Sequence, residues 1–118
     1  MNAAYAEIET DLKKYLRHVI ERHVGRNNPI MAETMASSLD YSDDRLIRKA
    51  IAELIDDGFP VCSVTSEPAG YFFPASVEEA RIYSKSLQKR AVRIFLRRRG
   101  IIRNTARYYE EAKQVRLL

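Results

Sequence analysis

Ala80, Leu87, Ile94, Ile101, Tyr108 and Val115 recur every seven residues, with Ser84, Ala91, Arg98, Thr105 and Ala112 on the neighbouring ridge. A seven-residue apolar repeat held over this length specifies a long helix with a single seam that seeks cover. It commits residues 76–118 of a 118-residue chain to one element. About 75 residues are left, enough for one small domain with its own core and too few for a two-domain enzyme with a deep cleft. The seam is continuous but thin, and Gly100 interrupts it at roughly 1 kcal/mol relative to Ala. The segment is therefore either one rod or two helices hinged near Arg99, Gly100 and Ile101.

Charge divides at the same place. The formal net charge is +4, but residues 1–80 hold eight Lys/Arg against fourteen Asp/Glu, and residues 81–118 hold twelve against two. The two parts thus carry −6 and +10. A segment that basic attracts polyanions such as nucleic acid, or pairs with an acidic surface on its own chain or on another copy. Its seam has neither Trp nor several Leu, which argues against a membrane-surface helix. No window approaches the ~18 uninterrupted apolar residues of a membrane span, and the N-terminus lacks the charged-then-apolar order of a signal peptide. Cys62 is the only cysteine, so no internal disulfide and no paired-cysteine zinc site can form. These features place the protein in the cytoplasm.

In the first part, Tyr5, Ile8, Leu12, Leu16, Val19, Ile20 and His23 recur at steps of three and four. They predict an amphipathic helix over residues 5–24, ended by Gly25, with Lys13, Lys14, Arg17 and Glu21 outside. Ala32, Met35, Ala36 and Leu39 give a short second helix. Either Asn28 caps it with Pro29 at the first helical position, or Pro29 and Ile30 form a brief strand leading in. After a break at Asp40 to Asp43 comes a third helix, whose buried stripe is Leu46, Ile47, Ala50, Ile51, Leu54 and Ile55. Ser42 is its expected N-cap, Asp43 and Asp44 suit the positive end of its dipole, and Gly58 stops it. Two helices joined by so short a turn make a helix-turn-helix candidate.

Phe59 to Thr65 and Tyr71 to Phe73 read as two strands around the turn sequence SEPAG. The tip of this hairpin contains no Lys or Arg, and Glu67 is its only charge. Its apolar residues are expected to cover the third helix and the start of the last one. Pro74 closes the second strand, and Ser76 with Glu79 forms a capping box that opens the final helix. The fold class expected is mainly α with a small β-hairpin.

This order resembles the winged helix-turn-helix domain of the biotin-repressor and deoxyribose-regulator type. The residues that carry the resemblance are Leu39, Ser42, the run Ile51, Leu54, Asp57 and Gly58, then Pro60, Val61 and Cys62, and Gly70, Tyr71 and Phe72. It covers residues 5–75. The run Ser76, Val77, Glu78, Glu79 at the start of a basic helix is similar to small bacterial and phage-encoded winged-helix proteins. The resemblance implies a winged domain over residues 1–75, with a recognition helix at about 42–57 in the major groove of double-stranded DNA. Asp43 and Asp44 depart from it, standing where such domains offer neutral or basic groups.

On that reading Ser42, Arg45, Arg48 and Lys49 are the candidate contacts of the third helix to bases or phosphates, the arginines being suited to guanine O6 and N7. The alternative is a solvated face whose cations balance Asp43, Asp44 and Glu53 locally. Lys89, Arg90, Arg93, Arg97, Arg98, Arg99 and Arg103 are the candidate phosphate contacts of the last helix. Leu87, Ile94, Ile101, Tyr108 and Val115 are the candidate dimer seam, because a domain of this size cannot cover them; a helical hairpin folded back at Gly100 is the alternative cover.

Catalysis finds no constellation. His18 and His23 are five apart and do not share a face, Cys62 has no adjacent base, and the carboxylate pairs Asp56–Asp57, Glu78–Glu79 and Glu110–Glu111 belong to helix ends or exposed faces. The expected protein is a homodimeric DNA-binding factor in transcription regulation or phage or prophage genome maintenance. It is expected to be no enzyme and to use no cofactor, metal or small-molecule effector. The rival is a protein-interaction module whose basic helix docks an acidic partner.

Overall fold

The three amphipathic stripes of the first part can be buried only against one another, and the computed structural model shows them doing so. Backbone is described for residues 3–117 and side chains for residues 10–116. The chain forms α1 (Ala3–Arg22), α2 (Ala32–Ser38), α3 (Arg45–Asp56), β1 (Cys62–Val64), β2 (Gly70–Phe72) and α4 (Val77–Leu117). It divides into two units, Met1–Tyr83 and Ser84–Leu118.

In the first unit, Leu16 and Ile20 of α1, Met35 and Ala36 of α2, and Ile47, Ala50, Ile51 and Leu54 of α3 form the core, closed by Phe59 and Val61, with Tyr71 and Phe73 packed against it; Cys62 and Phe72 are buried outside that cluster. The second strand packs on this helical core through Tyr71 and Phe73, meeting α1. The core stripe of α3 is narrower than its sequence suggests. Leu46 and Ile55, at the stripe's edges, are half exposed. The side chains of Tyr5 and Ile8 lie outside the described residues.

α1 stops at Arg22, short of Gly25, because the chain turns there to meet the hairpin. The Phe73 amide donates to His23 O at 2.8 Å, and the Gly25 amide donates to Phe73 O at 2.9 Å. His23 is thus drawn out of the core, half-buried, with Nδ1 3.0 Å from Asn28 O. Ile30 and Tyr71 exchange amide-to-carbonyl bonds of 2.8 Å each, so the brief strand at Ile30, and not an Asn28 cap, leads into α2. Met31 occupies the N-cap position in an extended conformation. The close approach explains Gly70: a Cβ there would stand 2.5 Å from Ile30 O, and its φ is +138°.

The turn between α2 and α3 passes through Asp40 in the left-handed region, at φ 59°. Asp44, not Ser42, holds the N-cap position of α3, and the side-chain cap is Asp43, whose Oδ1 accepts from the Arg45 amide at 3.0 Å. At the other end Gly58 donates to Ile55 O and Phe59 to Leu54 O, at 3.0 and 2.9 Å. This is a Schellman closure, with glycine at φ +99°.

β1 and β2 pair antiparallel, with Cys62 opposite Phe72, Ser63 opposite Tyr71 and Val64 opposite Gly70. The first strand is shorter than Phe59 to Thr65, because Phe59 and Val61 turn into the core before pairing begins. Ser76 Oγ accepts from the Glu79 amide at 3.1 Å, as a capping box demands. The Glu79 carboxylate reaches one residue further back than the motif's usual target, to the Ala75 amide at 2.9 Å, and also accepts from the Arg26 amide at 3.3 Å. The first turns of α4 therefore belong to the first unit, where Tyr83 meets Ser63 through their hydroxyls at 3.1 Å.

α4 runs unbroken for 41 residues, about 60 Å at the helical rise. Gly100 keeps a helical backbone, which removes both the hinge and the folded-back hairpin. A single glycine costs roughly 1 kcal/mol, and the helix formers on both sides outweigh it.

Candidate nucleic-acid interface

α3 presents Arg45, Arg48, Lys49 and Ala52 to solvent, because Ile47, Ala50, Ile51 and Leu54 anchor its opposite face. The two arginines are not electrically alone. Arg45 donates through Nε and a terminal nitrogen to Asp43 Oδ2, at 3.2 and 3.1 Å, while its side chain stays 88% exposed. The Arg45 amide and then its guanidinium hold the Asp43 carboxyl below the usual carboxylate range. Asp43 is thus a cap and a counterion at once.

Arg48 is more constrained. It donates to Asp44 Oδ2 at 2.8 Å, to Glu33 Oε1 at 3.3 Å and to the Tyr71 hydroxyl at 3.3 Å. One guanidinium thereby ties α2, the turn before α3 and β2 together, and the Asp44 contact chiefly favours its charged form. The position picked out for base contact is also a bracket of the fold. Lys49 is exposed and makes no ion pair among the described residues, and Ser42 lies exposed in the turn. On the inner side of α3, Lys13 of α1 pairs with Glu53 at 3.1 Å and Asp57 at 3.6 Å.

The hairpin tip has a cation after all, supplied from another part of the chain. Arg26, in the loop after α1, donates to Pro68 O at 2.7 Å, to Ser66 O at 3.0 Å and to Ser66 Oγ at 3.1 Å. A Lys- and Arg-free tip whose carbonyls turn to Arg26 is held by its own domain. The loop sequence GRNNP contains Arg26 without any sign of this, because its acceptors lie about forty residues on.

The second unit is a different surface. Residues 80–109 contain ten Lys/Arg and no Asp or Glu. Among the described residues none of Lys85, Lys89, Arg90, Arg93, Arg97, Arg98, Arg99, Arg103 and Arg107 makes an ion pair; Arg81, in the first unit, meets Glu78 at 3.5 Å. At 100° per residue, Lys89, Arg93, Arg103 and Arg107 share one face of the helix, while Arg98 falls on the opposite, apolar side. That side is broader than the heptad seam alone. Phe95, Ile102 and Tyr109 follow Ile94, Ile101 and Tyr108 by one residue and are equally exposed, a ridge that the next heptad position signals. Tyr108 and Tyr109 meet edge to face at 5.4 Å.

Cys62 is buried, and desolvation, with the Glu79 charge adding, pushes its thiol up to about 11. It carries little thiolate near neutrality. Among the described residues no three His, Cys, Asp or Glu side chains group as metal ligands, and no helix is long and apolar enough to cross a membrane. No family model matches the chain, and neither a curated relative nor a similar solved structure is found.

Proposed function

We propose that the first unit is a winged helix-turn-helix domain and that the protein binds double-stranded DNA as a homodimer, without catalysis or cofactor. On this reading it serves transcription control or phage-type genome maintenance in the cytoplasm. The observation that carries the reading is the acid-free run of ten cations at residues 80–109, nine of them in the second unit without a counterion among the described residues. Such a surface gains most from a partner that releases counterions when neutralised, as duplex DNA does. α3 contributes Lys49 and the exposed Arg45, which can exchange Asp43 for a phosphate. Arg48 orders the domain behind them. The hairpin serves packing, since its tip offers carbonyls and Glu67 to a phosphate backbone.

A second reading has its own support. With Arg45 and Arg48 paired to Asp43, Asp44 and Glu33, α3 is close to neutral, as suits a protein-interaction module whose basic helix docks an acidic protein. Titrating duplex DNA at two salt concentrations separates the two. The DNA reading expects tight, salt-sensitive binding by the whole chain. It expects a modest loss in Arg45→Ala/Arg48→Ala and a large loss when residues 84–118 are removed. Binding by none of the three at low salt rejects DNA as the ligand.

A further inference from the structure

The exposed apolar residues of the second unit lie on one long helix, and their sizes alternate. Leu87, Ile94, Ile101, Tyr108 and Val115 are large and 40–69% exposed. The ridge beside them, Ser84, Ala91, Thr105 and Ala112, is small, with Arg98 in its middle. We infer that two copies of α4 pair antiparallel about a two-fold axis level with Arg99 and Gly100, so that each small-ridge residue faces a large-ridge residue of the second copy. The inference rests on the dimer reading above and names its geometry.

In this register Ser84 faces Val115 of the second copy, Ala91 faces Tyr108, Arg98 faces Ile101, Thr105 faces Ile94 and Ala112 faces Leu87. Four of the five pairings then set a small residue against a large one, as close packing favours, and Arg98 packs its stem on Ile101 beside the two-fold axis. Thr105 can enter an apolar layer because its hydroxyl already donates to Ile101 O at 2.6 Å. The flanks agree. On one side Phe95 meets Ile102 of the second copy, which explains a bulky exposed ridge outside the simple heptad seam. On the other side Arg90 meets Glu111 of the second copy. One of the two acids of the second unit is thus brought to a cation far from it in the chain.

A parallel pair fails on both counts. It stacks Ala91 on Ala91 and Tyr108 on Tyr108, giving alternate gaps and crowding, and sets Arg98 against Arg98 in the seam. It also leaves Glu111 about 30 Å along the helix from Arg90. An antiparallel pair shifted by one heptad either sets Leu87 opposite a position outside the described residues or carries Ala112 and Val115 past Ser84 into the first unit. Only the register centred on Arg99 and Gly100 covers all ten seam residues within residues 84–115.

The test uses the full chain with Ser84→Cys or Val115→Cys, both exposed positions; unmodified protein, with only buried Cys62, is the control. Mixing the two variants and oxidising mildly is expected to give the mixed disulfide dimer, with no Ser84→Cys self-dimer. Spin labels on Ser84→Cys are expected to sit about 46 Å apart, the rise over 31 residues. Labels near the roughly 10 Å spacing of packed helices indicate a parallel pair. A dimer by sedimentation with Ser84→Cys cross-linked to itself, or with no cross-link between Ser84→Cys and Val115→Cys, overturns the register and leaves the dimer standing. A monomer at all concentrations overturns both.

Discussion

The first unit pairs many of its charges with one another, whereas the second makes no ion pair among the described residues. In the first unit Arg48 reaches three acceptors, Lys13 bridges α1 to α3, and Arg26 secures the hairpin tip. Each of these cations stabilises a particular arrangement of the domain. In the second unit ten large or aromatic side chains stand exposed, and the cations between residues 85 and 107 make no ion pair among the described residues. A cation already held by two carboxylates must exchange partners to meet a phosphate, and gains little; one that is merely hydrated gains the full counterion release. On the proposed reading, affinity therefore belongs to α4, and α3 contributes at most orientation and selectivity.

Perturbing one unit at a time sharpens this contrast. The largest effect on stability is expected from Phe72→Ala, because Phe72, opposite Cys62 in the hairpin, is 2% exposed and the largest fully buried side chain of the first unit. Chemical denaturation followed by hydrogen exchange should show a loss of about 3–5 kcal/mol in α1 to α3. Protection in residues 84–117 should hardly change, and an equal loss in both units would erase the division between them. Next comes Arg90→Glu, which places two acids opposite each other in the antiparallel pair and should weaken dimerisation about tenfold by sedimentation, a loss of about 1.4 kcal/mol for like charges set face to face. Adding Glu111→Arg should restore it, whereas two independent losses would show that these residues do not meet.

A smaller gain is expected from Gly100→Ala. The backbone there is helical and only Asn104 Nδ2, at 3.9 Å, approaches a new Cβ, so helix stability measured by circular dichroism should rise by up to about 1 kcal/mol. A loss would mean that the helix is bent at this point in solution. The smallest effect concerns Cys62. Its thiol is raised from 9.0 to about 11 in the folded state, so the unfolded chain loses that proton first as pH rises. The stability contributed by the neutral thiol is complete below the unfolded value of 9.0 and declines as pH rises towards about 11. Thiol reactivity in native protein should be suppressed over the same window, and prompt labelling at about pH 8, just under the ordinary thiol value, would contradict the burial.

What the sequence reveals depends on how local the determinant is. The α3 core residues Ile47, Ala50, Ile51 and Leu54 follow from helical periodicity, and the Ser76–Glu79 box from a three-residue spacing. The heptad of α4 is equally local, and its size alternation is readable once the helix is known to continue through Gly100. The N-cap of α3 is harder, since Ser42, Asp43 and Asp44 are all competent caps and only the turn geometry selects among them. The Arg48–Asp44 pair is an i,i+4 contact that local reading reaches, but the other contacts of Arg48 and all the hairpin contacts of Arg26 lie beyond it. Those partners are contributed by segments 15 to 42 residues away, and those contacts decide that one arginine holds the hairpin and the other brackets α3. Leu46 and Ile55 belong to the stripe by spacing but lie beyond the arc that α1 and α2 cover.

On the proposed reading the outward cations of α4 carry the affinity for DNA. Replacing Lys89, Arg93, Arg103 and Arg107 together by Gln removes charge from the face opposite the seam and leaves the dimer interface intact. The measurement is the dependence of duplex affinity on salt, for this variant and the unaltered protein, with dimerisation checked by sedimentation. An unchanged dimer is expected, with a salt slope shallower by about 0.9 for each phosphate that is no longer neutralised. An unchanged slope with an intact dimer would contradict this reading and return the DNA contact to α3.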